Sequence, residues 1–576
     1  MKPVVIILFV LGLLTTSLIH PSAPPTGSLI TRPAPGVHTA IAYFKTEAPA
    51  FAARCTDLQK AIQTLDLRNP RSIRSARQKL RDCRASWKRI ESFLEYFFKS
   101  SSRIYNRAPK FEAEEPGMEY QSPLGLQVIE SLLYESGDPE RRQQLLDQSS
   151  AVASSASDLP ALLYDFHADD RQILESLRIE LIRIITLDIT GYDAPYLKTG
   201  ITEAVESLRS IQYQLEPYQP HDSLRQLLQN TIDYCNVHQG FDTFNRLYFL
   251  KHYALPLQRS LSVFIRDKGA LFNTNKLLNY DADDLFSPDA LSLTKTADPR
   301  IITEGQIFFY DRSLSGNGTR SCASCHAPEK KFTDGLVTPL SLDGHSRLDR
   351  NAPSLLYAGL QHRQFWDGRT NTLEEQIMTV LEDKKEMHTS RPHADVFNIA
   401  SSIAAYINTL HPMSSAFDRY IRGGADSLLS AAEIRGGNLF MGKAQCATCH
   451  FMPVFNGLIP PDYSATEFEV LGTTRSDDLS KPRSDKDQGR YNVYPFPFYR
   501  GAFKTPSVRN SALTAPYMHN GAFRTLEKVL DFYNKGGARG LGLDQPSQTL
   551  SAQPLHLSKQ ELQDIIRFLH ALTDAS

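Results

Sequence analysis

The sequence predicts a mainly α protein of three parts: a long N-terminal helical bundle and, behind a linker, two smaller related domains built on short helices. Three observations carry that expectation. From about Tyr43 to Leu277 apolar residues recur at three- and four-residue spacing, as in ARQKLRDCRASWKRIESFLEYFF and ESLRIELIRIITL, while strand-type alternation is scarce. The chain of 576 residues exceeds what one hydrophobic core organises, which asks for two to four domains. Finally, EGQIFFYDRSLSGNGTRSCASCH and EIRGGNLFMGKAQCATCH repeat one pattern, from an acidic residue through Gly and Phe into C-x-x-C-H.

Taken in order, residues 1–23 place Lys2 before an apolar run from Val4 to Leu14 and small residues around Ser22 and Ala23. The run is shorter than the roughly 20 apolar residues of a spanning helix, so it reads as a secretory signal or an uncleaved anchor. No later stretch is long and apolar enough to cross a bilayer, so the expectation is a periplasmic chain, soluble after export or tethered by that anchor. The helical domain follows at 40–285, broken by turns such as ESGDPE and EPYQPHD. The polar, Pro-containing NYDADDLFSPDALSLTKTADPR is the linker to domains at 296–425 and 426–576. Lys+Arg 63 against Asp+Glu 64 leaves a formal charge of −1, which gives no reason to expect nucleic acid or an anionic membrane as partner.

Of seven cysteines, Cys55, Cys83 and Cys235 are isolated. In an oxidising compartment Cys55 and Cys83 could bridge two helices of a hairpin, leaving Cys235 free and buried, but sequence does not fix connectivity. The other four form CASCH (322–326) and CATCH (446–450). That spacing is the one of c-type haem attachment, with Cys322 and Cys325, then Cys446 and Cys449, as thioether sites, and His326 and His450 as proximal ligands to iron. A zinc site built from both pairs, or two thioredoxin-like redox pairs, are the alternatives. Zinc leaves unexplained the His directly after each pair.

Residues 296–576 resemble the bacterial di-haem cytochrome c peroxidases and their MauG-like relatives. The resemblance rests on CASCH, FTDG at 332, RNAPSLL at 350, FWDGR at 365, LEEQ at 373, CATCH, FKTPSVRNSALTAPYMHNGAF at 503 and TLEKVLDFY at 525. It implies a mainly α fold with two cytochrome c-like haem domains, the first peroxidatic and the second passing electrons to it, and two covalently bound haem c groups. It also implies that Trp366 relays electrons between the haems, and that Gln376 and Glu386 line the distal pocket, Glu386 as general acid and base toward hydrogen peroxide. The pocket proline expected between those two is Val380 here. Asn351, Thr514 and Pro516 match residues that hold a calcium ion through oxygen donors.

The family resemblance also singles out Tyr533. Many of these peroxidases carry a Met ligand fourteen residues after the His of PY-x-H-[DN]-G; counted from His519 that position is Tyr533, and the MauG-like branch also has tyrosine there. A phenolate is a hard anionic donor that favours ferric and higher iron states. Met518, in the same signature, and a merely packed Tyr533 are the competing readings. His345 lies near the loop that in some members blocks the first haem, at a different spacing, and reads as a solvated loop residue. The helical domain is similar to the N-terminal extensions of some di-haem peroxidases and, more distantly, to imelysin-like domains. Their G-x-H-x-x-E is GLQVIE here, with Gly125 and Glu130 kept and Gln127 in place of His, which reads first as a packing motif.

The expectation is therefore an exported di-haem peroxidase, taking electrons from a small electron-donor protein or oxidising a protein substrate in MauG-like fashion. The alternatives are a di-haem electron-transfer cytochrome with both irons blocked, and an iron-handling or scaffold protein dominated by its N-terminal domain.

Overall fold

Asn69 starts the second long helix: its side chain accepts from the Arg71 amide at 2.9 Å, and Pro70 fills the first helical position, where a missing N–H leaves no bond unmade. The computed structural model describes residues 35–114, 118–135, 140–272, 278, 282–287, 289–291 and 297–575. The signal or anchor expected at 1–23 and part of the linker lie outside the described residues. Helices Pro35–Gln63 and Pro70–Phe97 pack along each other, with Phe44, Phe51, Trp87 and Phe93 buried between them and Tyr105 closing the group. The Phe51 and Trp87 rings lie 5.6 Å apart and those of Trp87 and Tyr105 5.1 Å. Cys55 and Cys83 face each other across this pair as buried thiols, Sγ to Sγ 3.4 Å, in contact and not bonded.

Beyond this apolar layer the bundle has an ionic centre. Helix Asp170–Arg183 runs into a π turn, Ile184–Asp188, which delivers Asp188 to the interior. The buried Lys88 ammonium donates to Glu91 at 2.8 Å, Asp188 at 2.7 Å and Asp193 at 2.5 Å, and buried Arg84 forks onto Glu203 at 2.8 and 2.9 Å. The GLQVIE stretch opens helix Leu126–Tyr134, where Glu130 accepts from the Tyr196 and Leu197 amides at 2.8 and 2.6 Å and Gln127 donates to Asp193 at 3.4 Å. Glu130 thus orders a loop, and Lys88 supplies the positive charge among the acids.

The second half of the bundle shares its core with the last domain. One buried cluster runs from Leu174 through Leu247, Leu255 and Phe286 to Phe417, Phe440, Phe455 and Phe568. The domain between them has a separate core of Phe309, Leu381, Val396 and Ile403. In each small domain the first helix crosses a later one at a glycine. Helix Pro299–Tyr310 meets His393–Ile407 where a Cβ on Gly305 would lie 1.8 Å from the Ser402 carbonyl oxygen. Helix Ala431–Met441 meets Lys559–Ala571 where a Cβ on Gly436 would lie 1.9 Å from that of Asp564. Strands are few and short: Glu112–Glu114 pairs antiparallel with Glu119–Gln121, and Phe468–Val470 with Ala502–Lys504, Glu469 opposite Phe503. The fold is mainly α, and no described helix is long and apolar enough to cross a membrane.

Removing the Lys88 charge leaves three buried carboxylates without their shared cation. Lys88→Met is expected to lose about 3–5 kcal/mol in urea unfolding; a loss below about 1 kcal/mol would mean that protons already neutralise the acids.

Candidate active site

Each C-x-x-C-H motif winds into one 3-10 turn, Cys322–Ser324 and Cys446–Thr448. The His326 and His450 amides donate back to the Cys322 and Cys446 carbonyls at 2.9 and 3.0 Å, closing the turns. His326 Nδ1 lies 3.1 Å from the Phe332 carbonyl oxygen and His450 Nδ1 3.0 Å from that of Pro506. A carbonyl only accepts, so Nδ1 carries the proton in both rings and Nε2 keeps its lone pair. Burial pulls both imidazoles below their ordinary value, His450 to about 4, so they are neutral at pH 7, the form that ligates iron. Burial also pushes the Cys322 and Cys446 thiols up to about 12, so both are neutral thiols in the free protein. Among the described residues no cluster of metal-donor side chains within reach of one ion includes these cysteines. The donor chemistry at both turns fits covalent c-type haem.

Around the first turn, Thr372 caps helix Leu373–Glu382, which carries the half-buried Gln376. The loop behind it carries Glu386. Backbone bonds hold that loop, among them Leu342 to the Lys385 carbonyl at 2.7 Å, Gly316 to that of Met387 at 2.8 Å, and Met387 to that of Val380 at 3.3 Å. Glu386 is half-buried; burial first, and Asp383 second, push its carboxyl up to about 7 against the opposing charge of Arg369. It also acts electrostatically on Cys325, which makes it a neighbour of the first attachment turn. Val380 packs against the same apolar cluster as Cys322 and Phe332.

Between the two small domains, Trp366 is held from both sides. Its indole N–H donates to the Asn351 carbonyl at 2.9 Å, and its own carbonyl accepts from the Lys504 amide of the second domain at 2.8 Å. Asn351 in turn donates its amide to the His519 carbonyl at 2.7 Å. Arg350 reinforces the junction, with Asp367 at 2.6 Å and Asp487 at 2.7 Å, and His519 stacks on Phe503 at 3.6 Å while bonding Asp485 at 2.7 Å. Thr514 and Pro516 lie on the loop that leads to His519. Among the described residues neither their carbonyl oxygens nor the Asn351 side-chain oxygen accepts a hydrogen bond, so all three remain available as hard donors.

The second site repeats the first. Gln364 bridges to Thr370 around Phe365-Trp366-Asp367-Gly368, and Tyr517 bridges to Phe523 around Met518-His519-Asn520-Gly521, with Phe365 and Met518 both at positive φ, 61° and 72°. Each loop leads into a Thr-capped helix, Leu373–Glu382 after Thr372 and Leu526–Asn534 after Thr525. In this alignment Tyr533 stands where the first domain has Val380, the eighth residue after each cap. Tyr533 is half-buried beside the second attachment turn: desolvation, then Cys449, Cys446 and Glu469, raise its phenol well above the ordinary value. Met518 packs in the same small cluster as Tyr533, and His345 is exposed in a turn closed by Asp343.

Sequence reasoning missed one group altogether. Lys110, from the helical domain, reaches Glu469, on the strand beside Cys449, and Glu467 just before that strand. Its ligands are more than 350 positions away, and no local pattern marks it.

Comparison with known proteins places this arrangement among relatives. The family described as di-haem cytochrome c peroxidase matches residues 300–397. The chain is 32% identical over 311 residues to the cytochrome-c peroxidase IdrP1 of Pseudomonas sp. (strain SCT), covering 47% of this chain and 80% of that protein. It is 30% identical over 298 residues to the methylamine utilization protein MauG of Methylorubrum extorquens, covering 48% and 78%. Among solved structures it matches a MauG-like protein associated with microbial copper homeostasis, at 31% identity and a TM-score of 0.41 over 48% of this chain and 90% of that one.

A carboxyl raised by burial destabilises the fold once it ionises, so stability is lost as pH rises from the ordinary carboxyl range through about 7. Glu386→Gln removes that loss. Its Tm is expected to exceed the parent's by about 2 °C or more at pH 8 and to match it at pH 4; equal Tm values at both would mean an unburied carboxyl.

Proposed function

The chain belongs to the di-haem cytochrome c peroxidase family, and on that premise we propose that it is an exported peroxidase of the MauG-like type, with an open first haem and a tyrosine-ligated second. As a member it is a peroxidase-type oxidoreductase of a family with two c-type haems, acting on hydrogen peroxide together with a protein partner or substrate. The observation that carries the finer reading is the asymmetry of the two capped helices. Val380 offers no donor where Tyr533 offers a phenol, so substrate has access at the first site and a ligand closes the second.

When bound, the haems supply the one-electron redox chemistry, and the chain's own residues hold them, exclude water and move protons. Cys322 and Cys325 anchor the first and His326 ligates it; Cys446 and Cys449 anchor the second, ligated by His450 and Tyr533. Fixed Nδ1–H bonds on both imidazoles keep their Nε2 lone pairs aimed by a rigid backbone. Glu386, with a value near 7, is present in both protonation states at neutral pH, so it can take a proton from one peroxide oxygen and return it to the other. The Gln376 amide, on the preceding helix Leu373–Glu382, offers a donor and an acceptor. Trp366, pinned between the domains by Asn351 and Lys504, is the aromatic group fixed for relaying electrons.

Tyr533 would hold the second iron as a phenolate, since a bound cation outweighs the burial that keeps a free phenol protonated. An anionic oxygen donor there would favour the higher iron states of the second haem. Calcium held by Asn351, Thr514 and Pro516 would lie at the same junction, on three oxygens with no competing hydrogen bond. Export is supported by residues 1–23 and by the covalent haem motifs. The electron source remains either a small redox protein or a protein being oxidised.

Low-temperature EPR of the ferric protein tests the reading: one high-spin and one low-spin haem, both bleached by one equivalent of peroxide, are expected. Two low-spin signals indifferent to peroxide, before and after half-reduction, would overturn it in favour of an electron carrier. Tyr533→Phe should change the spin state of the second haem alone, and Val380→Met should convert the first to low spin and stop peroxide consumption. Glu386→Gln should keep both haems and slow peroxide turnover by about a hundredfold or more.

A further inference from the structure

The helical domain does more than lean on the haem domains. Gln445, directly before the second attachment turn, donates to the Pro195 carbonyl at 2.9 Å, and Tyr192 sets its ring edge-on to Phe451, next to His450, at 5.5 Å. Lys110 goes further in. Its ammonium donates to Glu467 and, at 3.2 Å, to Glu469, on the strand Phe468–Val470 and the residue preceding it. Glu469 lies 3.6 Å from Cys449 Sγ and is also held by the Thr549 hydroxyl. The three side chains are only 13%, 3% and 10% exposed, so water and salt screen them little.

We propose that Lys110 is a positioning residue of the second haem site: the helical domain inserts its charge against Glu467 and Glu469 beside Cys449 and thereby sets the reduction potential of that haem. The inference rests on the di-haem reading above. Reduction of a ferric haem adds one electron and one unit of negative charge to the site. A fixed cation nearby favours that step and fixed carboxylates oppose it, with a strength set by the low local dielectric. With Lys110 in place the carboxylates are compensated, and the domain that carries it becomes part of the electron-transfer machinery rather than a detachable module. The geometry also orders Glu469 so that it bonds Lys110 and Thr549 and stays beside the attachment cysteine.

Spectroelectrochemical titration of the full-length holoprotein tests this, with the pyridine haemochrome assay run on every variant to establish that two haems are bound. Lys110→Met should lower the potential of the second haem, changing its ferrous-to-ferric ratio at fixed ambient potential by about tenfold, or about 59 mV for one electron. Glu469→Gln should shift it the opposite way, and Lys110→Arg should leave it near the parent value. The first haem should not move in any of them. Opposite shifts at full haem content support the proposal; shifts of the same sign, or none, overturn it and leave Lys110 a purely structural ion pair. Should Lys110→Met fail to fold, Glu469→Gln and Lys110→Arg still decide the sign. One haem instead of two in the parent would instead overturn the di-haem reading, a separate outcome read from a separate assay.

Discussion

The backbone of Asn351 ties the Trp366 loop to the His519 loop at the junction of the two small domains. Its carbonyl takes the Trp366 indole proton and its amide gives to the His519 carbonyl, so one residue joins the corresponding loops of two copies of the same motif. Neither bond depends on a flexible side chain of Asn351. Arg350, one position earlier, adds two carboxylate partners to the same seam, one from each domain, and lies over the ring of Phe503. A relay residue between two redox centres has to be stationary, because electron transfer is far more sensitive to separation than to side-chain identity. Trp366 is bonded through its ring to one domain and through its backbone to the other, which supports the relay role proposed for it.

How much of this was readable in the chain follows from how local each signal is. The attachment turns are legible because two thiols and an imidazole within five positions do one kind of chemistry. Tyr533 could be picked out of many tyrosines only by counting from His519 against a family signature. Its equivalence with Val380 rests on Thr372 and Thr525 both being helix caps, which periodicity alone does not establish. Glu386, in EDKKEMH, has the look of surface charge; its partial burial comes from backbone bonds to Gly316 and Leu342, segments distant in sequence. Lys110 lies in a polar stretch, and nothing near it says that Glu467 and Glu469 wait across a domain interface.

The same limit applies to the architecture. Apolar spacing tells which face of a helix is covered and not by what. The helices from Leu174 to Ile265 are as regular as those before them, yet their covered faces meet Phe440, Phe455 and Phe568 of the last domain. The hydrophobic core therefore crosses the polar linker that the sequence offers as a border. The bundle consequently has a first half with its own aromatic interior, joined through the Lys88 and Arg84 ion pairs to a second half that completes the neighbour of the second attachment turn.

The glycines at the helix crossings have a consequence for how such a chain can change over generations. At Gly305 and Gly436 the opposing backbone lies closer than any Cβ allows, so the register between the two crossing helices of each domain is set by main chain against main chain. Side chains elsewhere in the core can then be exchanged without moving that register. Divergence is channelled: a copy that retains its crossing glycine keeps the scaffold that presents an attachment turn while nearly everything packed around it is free to drift, and a copy that loses it must rebuild the domain.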